Sequence, residues 1–120
     1  MAEVLQGLRI LVVEDDSLIA MFLEEVLSTV GCDLVGPVAR LAAAKVAARE
    51  RAVDCAILDI NLKGELVYPV AEILAERGIP FAFATGYGSA ETGERFRGRP
   101  ILHKPFKAAE VWAMVARLVA

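Results

Sequence analysis

An α/β fold built on a parallel sheet is predicted by two features of the sequence: short, nearly continuous apolar runs, and helical patterns between them. The runs are LRILVV (8–13), CDLVGPV (32–38), CAILDI (55–60), PFAFAT (80–85) and PILH (100–103). Such runs suit strands covered on both faces by helices. Regular strand–helix alternation with right-handed crossovers then gives a doubly wound (βα)5 sheet.

Each connecting segment has its own reason to be helical. After the first strand, Leu18, Phe22, Val26 and Val30 repeat every four residues beside Ile19, Leu23 and Leu27. Glu24, Glu25 and Ser28 fill the opposite face, so the segment is amphipathic. Asp16 or Ser17 stands where an N-cap belongs. Residues 39–51 are rich in alanine, the strongest helix former. Residues 66–77 repeat apolar side chains at Val70, Ile73 and Leu74, with Pro69 in the first turn and Gly78 at the C-terminal end. The last helix, 107–119, places Val111, Val115, Leu118 and Val119 on one side. Between Gly86 and Gly98 the stretch SAETGERF is short, polar and broken by Gly93, which predicts a short or frayed fourth helix.

The 120 residues read as one domain, 1–120, with no linker and no output domain. An apolar fraction of 57% supplies a core and leaves apolar surface for a partner, a homodimer included. Thirteen basic against 16 acidic residues give a net charge of −3, and no basic stripe favours nucleic acid. Cys32 and Cys55 lack any CxxC or Cys/His grouping, so they read as reduced core thiols. The N-terminus lacks the features of a signal peptide, and no run approaches the roughly 20 apolar residues of a membrane helix. A cytoplasmic location is expected.

In open α/β sheets the ligand site lies beyond the carboxyl ends of the strands. The first strand runs into Glu14, Asp15 and Asp16; the third ends at Asp59, followed by Asn61; the fourth ends at Thr85 and the fifth at Lys104-Pro105. Each residue alone has an ordinary account as a helix cap, a strand-end hydroxyl or an exposed lysine. Gathered on one rim, Asp15 and Asp59 concentrate negative charge that folding does not require, and carboxylates this close raise each other's pKa. A hard divalent cation relieves that repulsion, and Mg²⁺ prefers oxygen ligands. A metal-binding carboxylate pair with a lysine opposite is suited to phosphoryl groups: the cations neutralise the phosphoryl oxygens while one aspartate attacks phosphorus.

With ILVVEDD, AILDINL, FATGYG and HKPF in this order, essentially the whole chain resembles the receiver domain of two-component response regulators. The resemblance implies a flavodoxin-like sheet with strand order 2-1-3-4-5. By motif it makes Asp59 the phosphoacceptor, Asp15 a direct Mg²⁺ ligand and Glu14 an acid acting on the metal through water. It gives Asn61 a metal-binding backbone carbonyl, Thr85 the hydroxyl that moves toward the phosphoryl group, and Lys104 the cation paired with that group. It also implies a cis bond at Lys104–Pro105. The implied activity is acceptance of a phosphoryl group from the phosphohistidine of a histidine kinase or phosphotransfer protein. A slow self-dephosphorylation is implied too, but no enzyme in the usual sense. The signal then leaves through a downstream protein, or the domain acts as a phosphate sink.

Ile101 stands where receivers usually carry an aromatic switch residue, Leu62-Lys63 replaces the usual Met-Pro, and Gly86 follows the hydroxyl. With PFAFATGYG, these departures resemble the FATGUY subgroup of single-domain receivers, which implies a kinase of the HWE type. Thr85, Gly86, Tyr87, Gly88 and Ile101 are therefore the switch candidates, Tyr87 standing in for the missing aromatic. His103, a strand histidine, is expected to be packed, whereas Trp112 suits either packing or partner contact. Three rivals stay in view. A haloacid-dehalogenase-like phosphatase needs a second aspartate where Asn61 stands. A dinucleotide fingerprint needs glycine where Glu91 stands. A phosphorylation-independent pseudo-receiver would not need the intact acceptor, metal and lysine positions.

Overall fold

The computed structural model describes residues 5–86 and 96–120. In chain order its elements are β1 (Arg9–Val13), α1 (Ser17–Thr29), β2 (Asp33–Val38), α2 (Leu41–Glu50), β3 (Cys55–Asp59), β4 (Asn61–Leu62), β5 (Glu65–Leu66), α3 (Tyr68–Glu76), β6 (Phe81–Thr85), β7 (Ile101–His103) and α4 (Ala108–Val119). Five strands pair in parallel in the order β2-β1-β3-β6-β7, the flavodoxin-like arrangement expected. β4 and β5 form a separate antiparallel hairpin that the sequence reading did not anticipate.

Helices cover both faces of the sheet. Ala44 and Ala48 of α2 and Val70, Ala71 and Leu74 of α3 pack with Leu11, Val13, Leu58, Phe81 and Phe83. On the other face Leu23, Val26 and Leu27 of α1 join Val111 and Val115 of α4 against Ile10, Val12, Ile57 and Leu102. Alanine at the α2 contact lets that helix lie close to the sheet. The three central strands are nearly fully buried, so their unbroken apolar runs have the expected cause. The edge strands differ: β2 buries only Val35 and β7 only Leu102, because each has a neighbour on one side alone.

Local signals set the helix ends. Asp16 caps α1, its Oδ1 accepting from the amides of Leu18 and Ile19 at 2.9 and 3.2 Å. Pro69 sits in the first turn of α3, and Gly78 follows its end with φ +71, while the Ile79 amide reaches back to the Leu74 carbonyl. The Lys104–Pro105 bond is cis, as is Gly36–Pro37. Trp112 is half-buried and donates its indole N–H to the Val26 carbonyl at 2.9 Å, tying α4 to the end of α1.

Two expectations need correction. Leu18 and Phe22 do not join the core: they are 76% and 36% exposed, because α1 turns Ala20, Leu23, Val26 and Leu27 to the sheet. His103 is exposed on the edge strand β7 rather than packed. The expected short or frayed fourth helix, with Tyr87 and Gly88, falls largely on residues 87–95 and so lies outside the described residues.

Candidate functional site

Parallel strands end on the same side of a sheet, and here that geometry collects the charged residues into one pocket. The loop after β1 brings Glu14, Asp15 and Asp16; β3 ends in Asp59 and runs on through Ile60 to Asn61; β6 ends in Thr85 and Gly86; the turn after β7 supplies Lys104. These residues and Lys63 line a hollow of about 710 Å³. Register fixes their neighbourhood, since Asp59 pairs with Ala84 and Thr85 with His103. The amide of Lys104 also donates to the Thr85 carbonyl at 2.9 Å.

Lys104 Nζ lies 3.1 Å from Glu14 Oε1 and 3.3 Å from Asp59 Oδ1. All three groups are withdrawn from water, with Glu14 only 2% and Asp59 7% exposed. Glu14 Oε2 accepts from the Asp16 amide at 3.1 Å. Its buried Oε1 accepts no directed hydrogen bond; Lys104 is near enough for charge attraction but poorly aligned for donation. Burial, followed by the negative charge of Glu14 and contact with Asp15, pushes the Asp59 carboxyl up to about 8, and the opposing pull of Lys104 is too weak to prevent it. Burial alone would lower the Lys104 ammonium, yet contacts with Glu14 and Asp59 raise it, so it stays charged.

Glu14, Asp15 and Asp59 each offer a carboxylate oxygen, and these atoms lie within 4.8 Å of one another. The donors are all carboxylate oxygen, and Glu14 also carries a buried oxygen without a hydrogen bond, which suits a hard divalent cation such as Mg²⁺. Asn61 is exposed and spends its side chain on the hairpin, where Oδ1 accepts from the Gly64 amide at 2.6 Å. Asn61 is nevertheless among the residues that line the pocket.

The switch candidates are divided by the structure. Thr85 is buried at the pocket and Gly86 is exposed at its lip. A Cβ added at Gly86 would meet nothing within 4 Å among the described residues. Ile101 is half-buried beside Phe83, away from the pocket lining. Sequence reasoning missed Lys63 as a pocket residue, because only the β4–β5 hairpin carries it there. It also missed an apolar groove of about 440 Å³ formed by Leu18, Ile19, Phe22, Pro105 and Phe106, which shares Lys104 with the acidic pocket. An i, i+4 pattern marked Leu18 and Phe22, but pattern alone could not say that they face outward.

A family model described as the response regulator receiver domain matches residues 10–116. The solution structure of SdrG from Sphingomonas melonis Fr1 is similar at 44% identity and a TM-score of 0.81, covering 95% of this chain and 98% of that one. The phyllosphere-induced regulator PhyR of Methylorubrum extorquens is 31% identical over 113 residues, which is 91% of this chain. The chain spans only 42% of that regulator's length. The receiver domain of sensor histidine kinase PA1611 from Pseudomonas aeruginosa PAO1, whose structure has a magnesium ion coordinated in the active site cleft, shares the fold. It does so at 24% identity and a TM-score of 0.81, covering 94% of this chain and 98% of that one.

Proposed function

The chain belongs to the family of response regulator receiver domains of two-component signalling, and on that premise we propose that Asp59 accepts a phosphoryl group from a phosphohistidine. The observation that carries the proposal is the buried Asp59 carboxyl, held between Lys104 and the Glu14–Asp15 pair at the open end of the sheet.

Glu14, Asp15, Asp59 and the Asn61 carbonyl would hold Mg²⁺, which supplies positive charge that neutralises the phosphoryl oxygens and favours the ionised form of Asp59. Asp59 Oδ attacks phosphorus in line, the O–P bond forms, and the electron pair of the breaking N–P bond leaves with the donor imidazole. Lys104 exchanges part of its carboxylate pairing for a phosphoryl oxygen. Thr85, at the end of β6, donates its hydroxyl to another. That rearrangement biases the end of β6, at Thr85 and Gly86, toward a second state. The acyl phosphate hydrolyses slowly, so the domain is a timer rather than an enzyme.

The donor is a histidine kinase or phosphotransfer protein, the HWE type following from the FATGUY resemblance. Leu18, 76% exposed, lines the groove that shares Lys104 with the pocket, and Met21 on the same helix is 63% exposed. A helix carrying the phosphohistidine can therefore bury apolar surface there while its phosphoryl group reaches Asp59. Among the described residues no helix is long and apolar enough to cross a membrane.

Incubation with Mg²⁺ and acetyl phosphate tests the acceptor directly. Wild type gains an acid-stable, hydroxylamine-labile phosphate and Asp59→Asn gains none. Equal labelling of the variant overturns the assignment. No labelling of wild type points instead to a phosphorylation-independent binding module.

A further inference from the structure

Lys63 occupies an unusual place. The β4–β5 hairpin pairs Asn61 with Leu66 and Leu62 with Glu65, leaving Lys63 and Gly64 as a two-residue turn. Their φ values of 52 and 94° are both left-handed, the geometry of a type I′ turn. Asparagine, aspartate or glycine is the ordinary first residue there, and a lysine stands at a cost in backbone energy. Among non-glycine described residues it alone has a positive φ. The turn is held by the Gly64 amide bonded to Asn61 Oδ1, so it is a defined structure.

The position of the charge explains why a lysine is useful. The pocket carries Glu14, Asp15, Asp16 and Asp59 against Lys104 and Lys63 alone. Lys104 is already engaged with two carboxylates, whereas Lys63 is exposed and makes no ion pair among the described residues. It also borders a second hollow with Leu62, Arg40 and Glu65, whose two cations outnumber its one carboxylate. A phosphoryl group approaching this pocket carries negative charge toward an acidic interior. Extending the phosphoacceptor reading, we propose that Lys63 steers the anionic phosphoryl group of the donor into the acidic pocket and so sets the rate of phosphoryl transfer. It is a positioning residue: its charge acts on the approach, and Asp59 performs the chemistry.

Lys63→Asn is the informative variant, because asparagine accepts the left-handed backbone while removing the charge. With acetyl phosphate and saturating Mg²⁺, the second-order labelling rate of Lys63→Asn should fall about three- to tenfold at the lowest ionic strength these reagents allow, as expected for losing one charge that acts on a dianion across a small pocket. By about 0.5 M salt the ratio should shrink below roughly twofold, since screening removes steering. Lys63→Arg should restore the rate, and the melting temperature of Lys63→Asn should match or exceed wild type. Equal rates at low salt overturn the proposal, as does a deficit that salt does not diminish. Failure of the underlying acceptor reading looks different: wild type and Lys63→Asn would both stay unlabelled.

Discussion

Replacing Asp59 by asparagine should stabilise the metal-free fold, and the structure gives the size and pH dependence of the gain. In the folded chain the Asp59 carboxyl is raised from 3.8 to about 8, first by burial, then by Glu14 and Asp15. The folded state therefore holds a proton that the unfolded state has lost between those values. Stability falls as pH rises through that window, by up to about 1.4 kcal/mol per pH unit, and levels off above the folded value. At pH 7 the accumulated penalty has a ceiling of about 4 kcal/mol, and water reaching the open pocket reduces it to about 2 kcal/mol. Asparagine has a similar shape and no charge to desolvate. Urea denaturation in EDTA, followed by circular dichroism from pH 4 to 8, should show the two proteins nearly equal at pH 4. By pH 7 Asp59→Asn should lead by about 2 kcal/mol. Adding Mg²⁺ should then raise the midpoint of wild type more than that of the variant, because the cation binds a folded site that needs Asp59. A gap that does not change with pH, or a variant less stable than wild type at pH 7, would refute the electrostatic reasoning.

Other perturbations have equally definite outcomes. Gly36→Ala should cost about 3 kcal/mol in urea denaturation, since φ is +99° and a Cβ would meet Val38 N at 2.7 Å and Val12 O at 2.9 Å. Cys55 is fully buried, and burial ahead of Cys32 and Asp54 pushes its thiol up to about 12 from 9.0. Native protein at pH 8 should thus resist alkylation at Cys55 except through unfolding, and stability should decline as pH climbs above about 9, where only the unfolded thiol ionises. Trp112→Phe should lose about 1 kcal/mol with the bond to the Val26 carbonyl, measurable as a lower melting temperature. Leu18→Ser with Met21→Ser should change stability by no more than about 1 kcal/mol, both being exposed. The pair should still slow transfer from a phosphorylated histidine kinase several-fold while leaving acetyl phosphate labelling unchanged.

Much of this fold is legible because its strands obey one rule: a segment buried on both faces must be apolar throughout. CAILD and FAFAT are wholly buried, and their ends place Asp59 and Thr85 without further information. Edge strands weaken the rule, as β2 and β7 show. Residues 61–66 were illegible for a different reason. NLKGEL lacks the Asn-Gly or Asp-Gly pair that announces a tight hairpin, and lysine in the left-handed region contradicts local preference. The direction in which α1 faces was hidden as well. Its apolar residues occupy more of the circumference than one sheet contact can cover, so sequence could not say which of Leu18, Phe22, Leu23 and Val26 would be left outside.

That surplus of apolar surface and the frustrated pocket bear on each other. A pocket stabilised by complete pairing would hold Lys104 too firmly to release it to a phosphoryl group. Here Lys104 reaches two carboxylates, yet the nearer Glu14 oxygen accepts no aligned hydrogen bond and Asp59 is driven toward its protonated form. The site is therefore poised for added positive charge and for a group that brings new acceptors. If Asp59 is the phosphoacceptor, the site offers little shape by which one protein donor could be told from another, because a lining of carboxylates and lysines would answer to any phosphoryl group. Discrimination has to come from surface next to the chemistry, and Leu18, Phe22 and Phe106 lie there on the far side of Lys104. On the proposed phosphoacceptor role, charge at the pocket and apolar contact beside it would divide the work: one would govern whether transfer occurs, the other which donor is admitted.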